Sequence, residues 1–197
     1  MAHEYLSRDL DVLVFDQDVG KLRGVSGAVR FEEVVSCPLV VLCVPISAME
    51  ECCSRMAPFL REGQIVADTC SVKERPVKWM TAHLPQPVQV LGTHPLFGPD
   101  SGREGIAGRK LVLCPIRVEP VAYNCIRNYL EGLELVLIET TPEEHDRQIA
   151  KGQAIFHLIA RAMKRLNWSA EVVSTPGPEA FYRLAESVQY DTDQLFR

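Results

Sequence analysis

Short apolar runs recur along the chain at Val12 to Phe15, Leu39 to Val44, Ile65 to Ala67, Val88 to Leu91, Leu111 to Leu113 and Leu135 to Ile138. The first four are apolar at nearly every position, which predicts strands covered on both faces. Between the runs, "AMEECCSRMAPFL" and "VKERPVKWMTAHL" space their apolar residues by three and four, the helical period. That alternation predicts an α/β fold with a parallel, doubly wound sheet. Val29 to Phe31 reads as a weaker extra strand, and a helix is predicted to begin at Ser71.

The rhythm changes at Thr141. In "TPEEHD" a threonine cap, a proline at the first helical position and Glu144 three residues after the cap form a capping box, with first-turn acids on the favourable end of the helix dipole. Ile149, Phe156, Ile159, Met163 and Leu166 continue at three- and four-residue steps, so one long amphipathic helix is predicted to about Asn167. "STPGPEAFYRLAESVQY" adds a loop and another helix. The pattern divides the chain into an α/β part, residues 1–140, and an all-helical part, residues 141–197.

Composition narrows the function. The chain has 197 residues, 47% hydrophobic and 24% charged, enough to bury a core. A net charge of -5 with scattered basic residues predicts no nucleic-acid partner and no anionic membrane surface. No run is long enough to span a bilayer. Seven cysteines, odd in number and without a CxxC pair, predict reduced thiols and a cytoplasmic protein.

Candidate chemistry gathers at two strand ends. In "LGTHPLFGPDSG", Leu91 to Gly102, His94 stands where an apolar strand gives way to a Pro/Gly-rich loop, and in "IVADTCSVK" Ser71 and Lys73 follow a similar strand. Ligands bind at the carboxyl ends of strands in such folds, so both clusters are predicted to share one site. An imidazole, with a pKa of about 6.5, suits His94 to general base work. The competing assignments are a structural or exposed histidine, a serine helix cap and a solvated first-turn lysine. Asp16, closing "VLVFD", is an acid of the kind that accepts from a ribose hydroxyl, which would favour NAD over NADP; its plainer role is a strand-end turn acid. No two glycines lie two positions apart, so the GxGxxG turn that cradles a pyrophosphate is absent, and Gly20, Gly24 and Gly27 are assigned to turns. His145 and His157 lie roughly 120° apart around a helix, so no metal pair is predicted.

Taken together, these residues resemble the prephenate/arogenate dehydrogenase family of tyrosine biosynthesis. The matching elements are "LVVLCVP" with Pro45 ending its strand, "ADTCSVKE" for the family's D-x-x-SVK element, "GTHPLFGPDSG" for its HPMFGP element, and "EEHDRQIAKGQAIFH" for its EHD…Q…H helix. "FYRLAESVQYDTDQLF" is similar to the segment leading into the family's dimerisation helices. The resemblance implies a Rossmann-like, mostly parallel sheet followed by an all-helical segment, and an NAD(P)-dependent oxidative decarboxylation of prephenate or arogenate. It implies His94 as the base and Ser71 as its or the substrate hydroxyl's orienting group. His157 and Lys73 would lie on the substrate side, Asp16 and Pro45 on the cofactor side. NAD is the expected cofactor, with NADP less so, and a homodimer is expected of the full-length protein.

The resemblance also has departures. Family members begin with a strand and a glycine loop, whereas this chain begins inside what should be the following helix, and it ends where dimerisation helices should continue; truncation at both ends is the expectation. The lost strand would leave Val12 to Phe15 beside a gap or force it onto Leu39 to Val44. Many microbial members carry a substrate-binding arginine where Glu186 stands, and Arg183, one turn away, is the stand-in. The competing functions are a catalytically incompetent fragment or pseudo-enzyme that binds a ligand or partner, and a hydroxyacid dehydrogenase of another family.

Overall fold

The computed structural model describes residues 2–98, 101–166 and 174–187. It divides into two compact units, Met1–Pro142 and Glu143–Arg197. The first is built on a five-stranded sheet, β1 (Leu39–Leu42), β2 (Ile65–Asp68), β3 (Gln89–Pro95), β4 (Lys110–Arg117) and β5 (Val136–Glu139), in that spatial order. β1, β2 and β3 run parallel, β4 and β5 run parallel, and β3 pairs with β4 antiparallel. The result is the Rossmann-like, mostly parallel sheet that the strand–helix rhythm predicts. Before β1 lie two short helices, α1 (Ala2–Leu6) and α2 (Phe31–Val35); α3 (Met49–Met56), α4 (Glu74–His83) and α5 (Pro120–Gly132) connect the strands.

Strand alternation explains how the sheet is covered. All four β2 residues are buried. Val66 joins Met49, Cys53, Met56 and Met80 of α3 and α4 on one face, whereas Ile65, Ala67 and Leu91 pack with Ala122, Tyr123 and Ile126 of α5 on the other. At Gly92 α4 packs tightly on the sheet: a Cβ there would sit 3.2 Å from both Val77 and Cys114.

Four expectations are corrected. Val12 to Phe15 is no sheet strand: Val14 makes one isolated parallel bridge to Ala28, and the segment is held by its ring instead, Phe15 meeting Phe31 edge-on at 5.4 Å with Arg55 over the Phe31 ring at 4.1 Å. Val29 to Phe31 is no strand either, because Phe31 opens α2, where the Arg30 N–H donates to the Glu33 carboxylate. The helix after β2 begins at Glu74, not Ser71, because the Lys73 side chain is drawn into the core. In the second unit, the predicted continuous helix is α6 (Pro142–Ile149), a π-helical turn (Ala150–Ala154) and α7 (Ile155–Arg165), followed by α8 (Pro176–Ser187). The predicted end near Asn167 lies outside the described residues, as do Pro99 and Asp100 of the His94 loop.

Candidate active site

The carboxyl ends of the parallel strands bring most of the sequence-predicted residues to one edge. β1 ends one residue before Cys43, and Pro45 follows, exposed, its carbonyl accepting from Ala48 N–H at 2.8 Å to start a 3₁₀ turn. β2 pairs with β3 through Ala67 and Leu91, after which its chain turns away through Cys70 to the exposed Ser71. β3 runs on to His94, half-buried and paired in register with Val112 of β4. Antiparallel pairing with β4 therefore keeps the His94 end of β3 ordered after β2 has left it.

What stands where β2 leaves is the acid of the D-x-x-SVK element, to which the sequence reading gave no role. Asp68, the last residue of β2, is fully buried, and so is Lys73, with which it forms an ion pair. Asp68 Oδ2 also accepts the Cys70 N–H at 2.9 Å, and Oδ1 accepts the Thr93 N–H at 3.1 Å. The Lys73 ammonium donates to the Thr93 carbonyl as well, and the Thr93 hydroxyl donates to the Asp68 carbonyl. A buried charge pair of this kind is stable only with its remaining valences satisfied, and removing one partner typically costs on the order of 3–5 kcal/mol. The available signal was an acid in an apolar strand five residues before a lysine.

Lys73 therefore has no solvent-facing ammonium, and the solvated first-turn role is excluded. Next to it, burial first and the Asp68 charge second push the Cys70 thiol up to about 12, so it stays protonated beside Ser71 at neutral pH.

Asp16 lies in an extended stretch before a turn. Its Oδ1 accepts the Asp18 N–H at 2.8 Å and its Oδ2 is 3.7 Å from the Lys21 ammonium, with the carboxylate 39% exposed. The turn-acid role is thus realised, and the exposed oxygens remain within reach of a hydroxyl. His157 and Arg183 belong to α7 and α8 of the second unit, and their side chains lie outside the described part of the structure. His145 is buried on α6 and bonded through Nδ1 to Asp146 at 2.7 Å, a packing role. Among the described residues no three His, Cys, Asp or Glu side chains converge as a metal site, and no helix is long and apolar enough to cross a membrane. A cleft of about 480 Å³ lined by Glu62, Gln86, Gln89, Arg117 and Glu119 lies at the opposite, amino end of β2 and β3, away from this edge.

Comparison with known proteins shows the family to which the chain belongs. Residues 17–139 match the family model described as prephenate dehydrogenase, nucleotide-binding domain. Arogenate dehydrogenase 2, chloroplastic, of Arabidopsis thaliana is 30% identical over 80% of this chain and 46% of its own length, and the T-protein of Enterobacter agglomerans is 37% identical over 63% of this chain and 32% of its own. The chain thus spans less than half the length of these curated relatives. In fold it is similar to the prephenate dehydrogenase of A. aeolicus solved with hydroxyphenyl propionate and NAD+, with a TM-score of 0.74 and 20% identity over 94% of this chain and 73% of the other.

Proposed function

Since the chain belongs to the family of prephenate dehydrogenase nucleotide-binding domains, we propose that it serves an NAD-dependent oxidative decarboxylation of prephenate or arogenate in tyrosine biosynthesis. The observation that supports the proposal is that the turn leading to Ser71 and the strand end carrying His94 follow from adjoining parallel strands, with Asp68 hydrogen-bonded to Thr93 between them. Asp16 fits the ribose of a dinucleotide, having exposed carboxylate oxygens, and Pro45 fits the nicotinamide side at the neighbouring strand end. The 197 residues offer no glycine turn to cradle the pyrophosphate, so the fit covers the two nucleoside ends and not the bridge between them. When bound, the dinucleotide supplies the hydride acceptor.

The residues of the chain do the rest. His94 takes the proton of the ring hydroxyl as hydride departs from the carbon that bears it, while the ring carboxylate leaves as carbon dioxide and its bonding pair enters the ring, which becomes aromatic. Ser71 orients the hydroxyl or the imidazole. His157 and Arg183 hold the substrate's carboxylates, and Lys73 acts at a distance through its ion pair. Asp16 favours NAD over NADP, since a carboxylate repels a 2′-phosphate. Seven free cysteines support a reducing compartment such as the cytoplasm. The partners are the small-molecule substrate and, for the full-length protein, a second copy of the chain.

The deciding experiment is substrate-dependent NADH formation, assayed separately with prephenate and with arogenate on folded protein. Formation with one of them assigns the substrate; formation with neither, at saturating cofactor, sinks the catalytic reading. Calorimetric binding of either substrate without NADH formation would select the competing function, a domain that binds an aromatic precursor or partner without turnover.

A further inference from the structure

The pairing pattern around Thr93 is a strand ladder continued by side chains. β2 hydrogen-bonds to β3 only as far as the Ala67–Leu91 pair, yet Thr93 still directs its N–H and C=O to the β2 side. In an ordinary sheet the next stretch of β2 backbone would meet them, but that stretch has turned away toward Ser71. The Asp68 carboxylate takes the acceptor's place, the Lys73 ammonium takes the donor's, and the Asp68 carbonyl holds the Thr93 hydroxyl. Both backbone groups of the residue before His94 are thereby tied to one buried ion pair, at the root of the turn carrying Ser71, and its hydroxyl is tied to the Asp68 backbone.

We propose that Asp68 and Lys73 are positioning residues: their ion pair replaces the missing β2 backbone and fixes the His94 end of β3 against the Ser71 turn, which sets the distance between the proposed base and its orienting hydroxyl. The catalytic significance rests on the dehydrogenase reading; the mechanical claim does not. The arrangement lets two adjoining parallel strands diverge, one into a loop and one into a catalytic strand end, without leaving buried backbone groups unpaired.

The test uses the full chain and needs no turnover. Amide exchange at position 93 is compared with that of Val66 and Val90, and the His94 ring signal is followed by NMR, assigned through its absence in His94→Asn. In Lys73→Met, exchange at position 93 should quicken by about tenfold or more, with Val66 and Val90 within about twofold, because only a local opening is released; the His94 signal should shift. The neutral pair Asp68→Asn with Lys73→Gln keeps an acceptor and a donor for Thr93 and should restore both readouts. Thr93→Val removes only the hydroxyl bond and leaves the ion pair intact, so it stays informative even where Lys73→Met does not fold; it should give the same local signature at smaller amplitude. Unchanged exchange at position 93 in Lys73→Met or Thr93→Val, uniform quickening of all three amides, or failure of the neutral pair to restore the His94 signal would each overturn the proposal. Local release in a chain that forms no NADH would sink the dehydrogenase reading and leave the positioning claim standing.

Discussion

Lys21 holds its ammonium 3.7 Å from the Asp16 carboxylate, whose other oxygen already accepts the Asp18 N–H at 2.8 Å. A group that would hold a ribose is therefore partly engaged in its own turn, and the cation beside it is one that sequence position alone did not put there. The 197-residue chain is expected to bind NAD weakly, well above the low micromolar range of ordinary cofactor sites. Calorimetry checks this, and Asp16→Ala should abolish what binding remains; tight binding would mean that another segment supplies the pyrophosphate contacts.

In a version of the protein carrying an upstream strand and glycine loop, His94→Asn is expected to lower kcat by on the order of 10²–10⁴ with little change in KM, because asparagine can hold the ring hydroxyl but cannot take its proton. Ser71→Ala should act in the same direction and more mildly. Arg183→Ala offers the contrast, a raised KM with kcat nearly kept, through loss of a charge-assisted contact. Steady-state kinetics at saturating cofactor separates the three; a near-normal kcat for His94→Asn would move the base assignment to His157.

The thiols give a pH dependence with a definite sign. Cys53 and Cys70 are each pushed up to about 12 from the ordinary 9.0, chiefly by burial. Above the ordinary value the unfolded chain has released these protons while the folded chain retains them, so stability should fall as the pH rises from about 9 toward 12. Urea midpoints at several alkaline pH values check the slope, and Cys53→Ala with Cys70→Ala should flatten it. At mildly alkaline pH a thiol reagent should label the exposed Cys125 first and reach Cys53 and Cys70 only on unfolding.

Gly27→Ala is expected to destabilise by more than about 1 kcal/mol. Gly27 has φ of 75° and its missing Cβ would lie 2.2 Å from the Val12 carbonyl oxygen, at the bridge that joins Val14 to Ala28. Gly24, with φ of 77° and open space around it, should cost less. Thermal or urea melts of the two variants decide between backbone strain alone and strain with a clash; equal costs would discount the clash.

Much of the sheet was legible because an apolar run of four has few alternatives once helical spacing flanks it: Ile65–Asp68 and Val136–Glu139 lie within a residue of their predicted ends. Val12 to Phe15 carries the same pattern but lacks a ladder partner among the described residues, and composition cannot tell a strand from an extended segment pinned by one phenylalanine. The π-helical turn around Gly152 left as hints only that glycine and the seven-residue step from Ile149 to Phe156 that spans it. At the candidate site His94 and Ser71 were visible as polar residues at apolar strand ends. Asp68 stood in the D-x-x-SVK element, but its role was not legible, since that depends on where β2 stops pairing, a property of two strands and not of either one.

The antiparallel junction of β3 and β4 has an evolutionary consequence. Because the chain leaves the sheet after Pro95 and re-enters it at Lys110 on the same edge, the intervening segment sets neither the length of a crossover helix nor the register of a parallel pair. Insertions at the exposed Arg103 and Glu104 would therefore lengthen the connection ahead of Ile106, which stays buried beside Leu111 and Leu135, without shifting the β3–β4 register. The length of that connection is thereby uncoupled from the geometry of the sheet.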